Sequence, residues 1–533
     1  MKNLSCKLRN GNNSSQWVFK WSTVQMKTLI MNNSRKNLLI ILGFLACSPL
    51  FLNCSNNSTN TDWAITLEKQ LTIPEFKKDT FNINDYGAIQ DSIMVNTISF
   101  KRAIDECNKN GGGVVLVPEG IWNVGPIHLK SNVNLHISSK AVVSFSQKFD
   151  DYLPIVRIQR GGIYCYNYSP FIYANGKENI AITGKGKLDG NGQVWWPWKN
   201  DQPGMAELFK MGKAGTPIED RRFGTVEDGV RPPFVQFIKS KNVYMEGVTL
   251  LDGPSWMIHP VECTNLIFKN LTLKSHGPNN DGIDPDMSKN ILIEDCILDV
   301  GDDNIAIKSG RDEEAWRIGV PSENIIVRGC TALRGHGGLV IGSEMSAGVK
   351  NVLVENCNFK KTDRGIRFKT RLGRGGYVEN ITIRNIKMED INKEAIIMNM
   401  QYDGEPIEKN MNYDEDMKSS NDTPIFRNIL LENIECYGAK TAISIKGLDK
   451  STLGEIKIKN ISVTSERGLY IDGAYDLKLE DIQLDVSGRE PMIQISNSNN
   501  ISINTENGLK TENSDEWLFV EDSRKIEINN EKY

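Results

Sequence analysis

Asn265-Leu-Ile-Phe-Lys-Asn-Leu271 returns down the chain as Asn290-Ile-Leu-Ile-Glu-Asp-Cys296, Asn324-Ile-Ile-Val-Arg-Gly-Cys330, Asn351-Val-Leu-Val-Glu-Asn-Cys357 and Asn380-Ile-Thr-Ile-Arg-Asn-Ile386. Each copy is an Asn, an alternating apolar stretch, a polar pair and one further apolar residue. A unit this short cannot bury its own apolar face, so each copy must stack on its neighbours, and stacked copies make a solenoid. Other copies open at Asn179, Asn242 and Asn428 and continue, more weakly, to Glu455, Leu477 and Asn500, most of them 22 to 34 residues apart. That interval suits one coil of three strands. Leucine-rich repeats have similar periods but need helix-forming spacers, and these spacers are rich in Gly, Asp and Asn instead. The phrase therefore predicts an all-β chain folded as a single parallel β-helix, right-handed by the crossover rule. From Asn96 to Asn108, Phe100, Ala103, Ile104 and Cys107 recur at helical spacing before a Gly111-Gly-Gly113 stop, which predicts an N-terminal helical cap over the open first coil.

A chain of 533 residues exceeds the usual span of one globular core, but a solenoid escapes that limit because each coil meets only its neighbours. The formal charge of -4 supplies no field for nucleic acid, so an anionic ligand would have to be gripped by local cations. Near the N-terminus, Arg35 and Lys36 precede the apolar run Leu38 to Leu45, as in a secretory signal, and the run is too short to span a bilayer. Phe51-Leu-Asn-Cys54 resembles a bacterial lipoprotein cleavage box. We therefore divide the chain into an upstream segment with a lipoprotein-type signal (1–54), a flexible tether rich in Ser, Asn and Thr (55–75) and a β-helix domain (76–533). Lipidation of Cys54 would anchor the exported protein, expected to be a monomer, to the outer membrane of a Gram-negative bacterium, on its periplasmic side or at the surface. Cleavage near Ala46 and Cys47 is the alternative, and translation could begin at Met26 or Met31. Setting aside Cys6, Cys47 and Cys54 leaves seven of the ten cysteines. Cys296, Cys330 and Cys357 share the last slot of the phrase with Leu271, Ile386 and Ile434, which argues for buried thiols packing as small hydrophobes rather than for disulfides or metal ligands.

Counting from the Asn that opens each phrase places polar residues on consecutive coils: Asp281 at offset 16, Asp302 and Asp303 at 12 and 13, His336 at 12, and Arg367 and Lys369 at 16 and 18. Coils stack at about 4.8 Å, so the set should line a groove roughly 15 Å long. Singly, each residue has a bland reading: acids capping a turn, a histidine in a Gly-flanked loop, cations solubilising a strand. Asp284 and Asp286 in Gly282-Ile-Asp-Pro-Asp286 we assign to turn formation. Register across coils is what the bland readings fail to explain. Three carboxylates sharing a groove cannot all ionise freely, so at least one pKa is raised and a proton is held, as glycoside hydrolysis requires. Arg367 and Lys369 flank Phe368 on one strand, share a face and supply a site for an anion.

Asn279-Asn280-Asp281-Gly282-Ile283-Asp284, Gly301-Asp302-Asp303, Gly335-His336-Gly337 and Arg367-Phe368-Lys369 together resemble, in order and spacing, the four signature motifs of the polygalacturonases, glycoside hydrolase family 28. The similarity runs from about Phe81 and includes Asp189-Gly-Asn-Gly192 with Trp195-Trp196. Asn280 stands where the family usually has Thr, and Phe368 where it has Ile. The resemblance implies a right-handed parallel β-helix that hydrolyses α-linked galacturonic acid in pectin, an acidic plant polysaccharide, with inversion and without metal or cofactor. It makes Asp302 the general acid, has Asp281 and Asp303 position and activate the water, gives His336 support of the acid, and assigns a substrate carboxylate to Arg367 and Lys369. Tyr402 matches the family's late tyrosine by its place before Asp403-Gly404.

Two intervals between phrases are long, 63 residues from Asn179 to Asn242 and 48 from Asn380 to Asn428, and loops that outgrow their coil usually wall a cleft. The first interval, Lys308-Ser-Gly-Arg311 and Gly342-Ser-Glu-Met-Ser-Ala-Gly348 resemble bacterial exo-acting members, which implies release of a terminal unit from the non-reducing end. Trp195 and Trp196 either stack on sugars in that wall or pack structurally. Plain galacturonan and rhamnogalacturonan are not distinguished. The rivals are a Ca-dependent, pectate lyase-like β-helix and a non-catalytic carbohydrate-binding lipoprotein.

Overall fold

The computed structural model describes residues 61–90, 95–402, 421–448, 452–505, 509–511 and 517–533. Cys54 and the signal lie outside the described residues, as do Asp403, Glu405 and Lys409 of the second long interval. Parallel strands stack in register as predicted: Leu266 pairs with Ile291, then Ile325, Val352, Ile381 and Ile429. Like residues lie on like, and their side chains are buried in one continuous core.

The opening Asn has two roles. Asn265, Asn290, Asn324, Asn351 and Asn380 adopt φ of 60°, 59°, 58°, 55° and 57°, the left-handed conformation that Asn tolerates better than most residues. Each therefore bends the chain at a corner of the coil. Each side-chain amide also donates to the Asn one coil back, over 3.0, 3.1, 3.1, 2.9 and 3.1 Å. The polar pair hides a second corner, at Asn270, Asp295, Gly329, Asn356 and Asn385, all with positive φ. After it the chain points inward again at Leu271, Cys296, Cys330, Cys357 and Ile386. All seven cysteines among the described residues are free and buried, as the apolar slot implies.

Helix α2 (Thr97–Lys109) caps the first coil, burying Phe100, Ala103, Ile104 and Cys107 in the main core. The expected tether is corrected from Thr61 onward: Asp62–Gln70 is a helix, α1, whose Ala64 and Leu67 pack on Ile326 and Leu353, while Leu71 and Phe76 continue across Ala181, Tyr244 and Ile267. Burying that apolar side-chain area offsets the entropy of ordering the segment from Thr61 to Phe76.

One side of the stack carries added structure. An antiparallel hairpin, Val156–Arg160 with Ile163–Asn167, packs with α3 (Pro203–Ala214) around Ile158, Ile163, Cys165 and Leu208. A buried two-pronged ion pair, Arg221 to Glu314 at 2.7 and 3.0 Å, ties the insertion to α4 (Asp312–Ile318). Trp195 belongs to the core, fully buried and wedged between Phe149 at 4.6 Å and Trp198 at 4.8 Å. Trp196 is half-buried and donates its Nε1–H to Gly253 O.

Candidate active site

The site stands on strands that lie side by side on consecutive coils. Asp303–Ile307 pairs with Gly337–Ile341, which pairs with Ile366–Lys369, and bridges from Ile283 to Ile305 and from Asp286 to Lys308 place the preceding coil alongside. Asp281 and Asp303 each stand two residues before bridged partners, Ile283 and Ile305, so the structure brings them together despite offsets of 16 and 13. Arg367, also at offset 16, pairs instead with Val340. Residue counting fails across turns of unequal length, and long side chains close the difference. Arg367 Nη1 donates to Asp303 Oδ1 at 3.2 Å, and Lys369 Nζ donates to Asp303 Oδ2 at 2.7 Å.

Carboxylate oxygens of Asp281, Asp302 and Asp303 all lie within 4.8 Å of one another. Asp281 and Asp303 are buried, and Asp302 is partly exposed to the groove. Asp302 Oδ1 takes the Asp303 backbone N–H at 3.0 Å and shares a hydrogen bond of 2.9 Å with His336 Nδ1. Asn279 faces Asp302 Oδ2 at 3.4 Å and is itself held by Arg231 at 2.7 Å. Tyr402 places its ring 5.2 Å from the Arg367 guanidinium and 5.1 Å from Lys369 Nζ. Every site residue expected within the described chain is thus in one place.

Charge separates the three acids. Burial, and next the charge of Asp302, push Asp281 up to about 7 against the pull of Lys308. Burial would raise Asp303 as well, but Lys369, Arg367 and Lys308 outweigh it and hold that carboxyl down at about 2. The hydrogen bond to Asp302 raises His336, against burial. Near neutral pH the cluster therefore keeps a proton that belongs to the coupled acids rather than to one residue.

Sequence reading missed the layer beneath. Lys308 is 2% exposed and lies 3.3 Å from Asp281, 3.6 Å from Asp284 and 3.6 Å from Glu344. Asp284 and Asp286 are not turn formers: both are fully buried, Asp284 against Lys308 and Asp286 accepting from Gly310 N and facing His259. Pro285 between them suggested a turn. The signal that would have found Lys308 is its register with Lys369 two coils on: Lys308 follows Ile307, Lys369 follows Phe368, and both Ile307 and Phe368 pair with Ile341.

A parallel β-helix with clustered carboxylates beside flanking cations supplies the acid and the base that a glycoside hydrolase requires. The model of "Glycosyl hydrolases family 28" matches residues 223–414. The chain is 30% identical over 390 residues to "Probable polygalacturonase" of Vitis vinifera, covering 71% of this chain and 73% of that protein. It is 28% identical over 353 residues to "Exo-poly-alpha-D-galacturonosidase" of Dickeya chrysanthemi, of which it spans 57%. Among solved structures, the exopolygalacturonase of Thermotoga maritima superimposes with a TM-score of 0.73 at 38% identity, over 79% of this chain and 95% of that one. The protein belongs to glycosyl hydrolase family 28.

Proposed function

We propose that the protein is an exo-acting polygalacturonase that removes galacturonic acid units from the non-reducing end of pectic galacturonan with inversion. The observation that carries the exo reading is the shape of the site. Asp281 and Asp302 line a cavity of about 440 Å³ whose other walls come from the hairpin (Arg160, Gly161), α3 (Met205, Phe209) and the loop at Arg311. A groove walled in this way accepts the end of a chain, and the volume lies within the range of about 300–1,000 Å³ usual for small-ligand sites. The similarity to the exopolygalacturonase of Thermotoga maritima supports the same reading.

Asp302, the acid that meets the groove, protonates the leaving oxygen, and His336 fixes its orientation. Asp281 and Asp303 activate water. Such short separations resemble those of retaining enzymes, which use a carboxylate nucleophile about 5–5.5 Å from the acid. Asp303 is held by Arg367 and Lys369 and is not free to attack the sugar. Two acids that flank one water can invert at this range, and inversion is what the resemblance to the family implies. Arg367, Lys369 and Tyr402 serve the substrate side of the same cluster.

Proton NMR on defined oligogalacturonides tests this reading. Expected are single units from the non-reducing end, the β anomer appearing first. Products of mixed length would refute exo action, a first α anomer would refute inversion, and an ultraviolet-absorbing product that requires Ca²⁺ would refute hydrolysis. We further propose export and a lipid on Cys54, supported by Arg35, Lys36 and the run Leu38 to Leu45. Cys54→Ser would then move the protein from the membrane fraction to the soluble one, and unchanged fractionation would dismiss the anchor.

A further inference from the structure

Most cations at the cavity already have a carboxylate. Lys308 has three, Arg311 is 2.6 Å from Glu344, Arg374 is 2.6 Å from Asp312, and Lys369 is engaged by Asp303. Arg160 differs. It is 4% exposed, and its Nε and Nη1 are buried with no hydrogen-bond partner. Its guanidinium lies 4.7 Å over the ring of Trp256, another residue of the cavity wall. Asp281, Asp284 and Glu344 are near enough to attract it, yet none accepts from those two nitrogens.

A buried guanidinium with unmade hydrogen bonds is poised for an anion, because the cost of leaving water has been met and the compensating contact is outstanding. Its place is also fixed. Arg160 ends the first strand of the hairpin, and the tip that follows is pinned where Arg311 Nε donates to Gly161 O at 2.8 Å. Gly162 beside it has φ +85°, and a side chain there would meet the Arg311 backbone at 2.7 Å, so only glycine lets the hairpin approach this closely.

We propose that Arg160 binds the carboxylate of the terminal sugar and makes a free acid at that position a condition of efficient cleavage. The assignment deepens the exo reading above and rests on it. A planar guanidinium matches a carboxylate in charge and donor geometry, and a methyl ester offers neither the charge nor the second strong acceptor. Arg367 and Lys369 cannot substitute fully, because Asp303 already claims both.

The test compares two short oligogalacturonides that differ only at the non-reducing terminal carboxyl, free or methyl-esterified, as substrates for the wild type, Arg160→Met and Arg160→Lys. In the wild type kcat/KM should favour the free acid by roughly 30-fold or more, the effect of losing one partner of a buried charge pair. Arg160→Met should collapse that ratio, chiefly through KM on the acid, and Arg160→Lys should restore part of it. The ratio is taken within each protein, so a smaller folded fraction cancels. Terminal release with an unchanged ratio in Arg160→Met overturns the assignment of Arg160 alone. Internal cleavage by the wild type overturns the exo reading and the assignment with it.

Discussion

Replacing Lys308 by Met asks whether one buried ammonium holds the acidic layer together. The methionine is close to lysine in volume, so packing against Trp256, whose ring lies 4.5 Å from Lys308 Nζ, is kept and the charge is removed. Asp281 and Asp284 then face each other without the cation that lay 3.3 and 3.6 Å away. Removing one partner of a buried ion pair costs about 3–5 kcal/mol, because the partner left behind stays desolvated. Glu344 keeps Arg311, so the low end, about 3 kcal/mol, is expected. The loss must depend on pH in a fixed direction. Without Lys308 both aspartates hold their protons to higher pH in the folded chain than in the unfolded one, where carboxyls titrate at roughly 4. Asp281 reaches about 7 even with Lys308 present. A folded state that binds more protons loses stability as pH rises through that window. The deficit of the variant should therefore be small at about pH 4 and full at about pH 8. Melts followed by near-ultraviolet circular dichroism at both values give the comparison. An equal deficit at the two pH values, or a deficit below about 1 kcal/mol at the higher one, would refute the reasoning.

Other expectations follow from the same geometry. Asp302→Asn should lower kcat by about 10²–10⁴ and leave oligogalacturonide binding intact, read by stopped turnover against calorimetric titration. Asp303, held down at about 2, contributes stability above the ordinary carboxylate pKa that is lost as pH falls toward 2; Asp303→Asn should remove that acid-side slope from the pH–stability curve. Leu67→Ala on α1 should cost about 2 kcal/mol in a denaturant melt with kcat/KM unchanged, since Leu67 packs on Ile326 and Leu353 away from the acids.

Architecture was legible because apolar alternation and stacking are local demands, repeated often enough to be read as a ruler. The corners were not, although Asn265 and Asn270 stood in plain view: a residue's left-handed φ leaves no trace in hydropathy. The ruler placed Asp281, Asp302, Asp303, His336, Arg367 and Lys369 on four coils, and the structure gathers them. It misjudged the alignment of Arg367 because the turns between corners differ in length. The tether reading failed at α1, where Ala64 and Leu67, with Trp63 and Leu71 beside them, dock a short helix on Ile326 and Leu353 of the sheet. Lys308, Asp284 and Asp286 escaped for a different reason. Charged residues read as solvated, and their burial here depends on partners a coil away that no local pattern announces. Arg160 sits in the hairpin, outside every copy of the phrase, and so had no register to betray it.

The amide ladder bears on how the molecule comes apart. Beyond Ile366–Lys369 the same face continues through strands at Ile396, Ile443, Leu469, Ile493 and Leu518, none of which lends a side chain to the acids. A stack held by nearest-neighbour contacts frays from its ends. At one end α2 plugs the opening; at the other the chain doubles back, Glu531–Lys532 running antiparallel to Arg524–Ile528. Fraying from that side would reach the catalytic coils only after the rungs past the chemistry had opened.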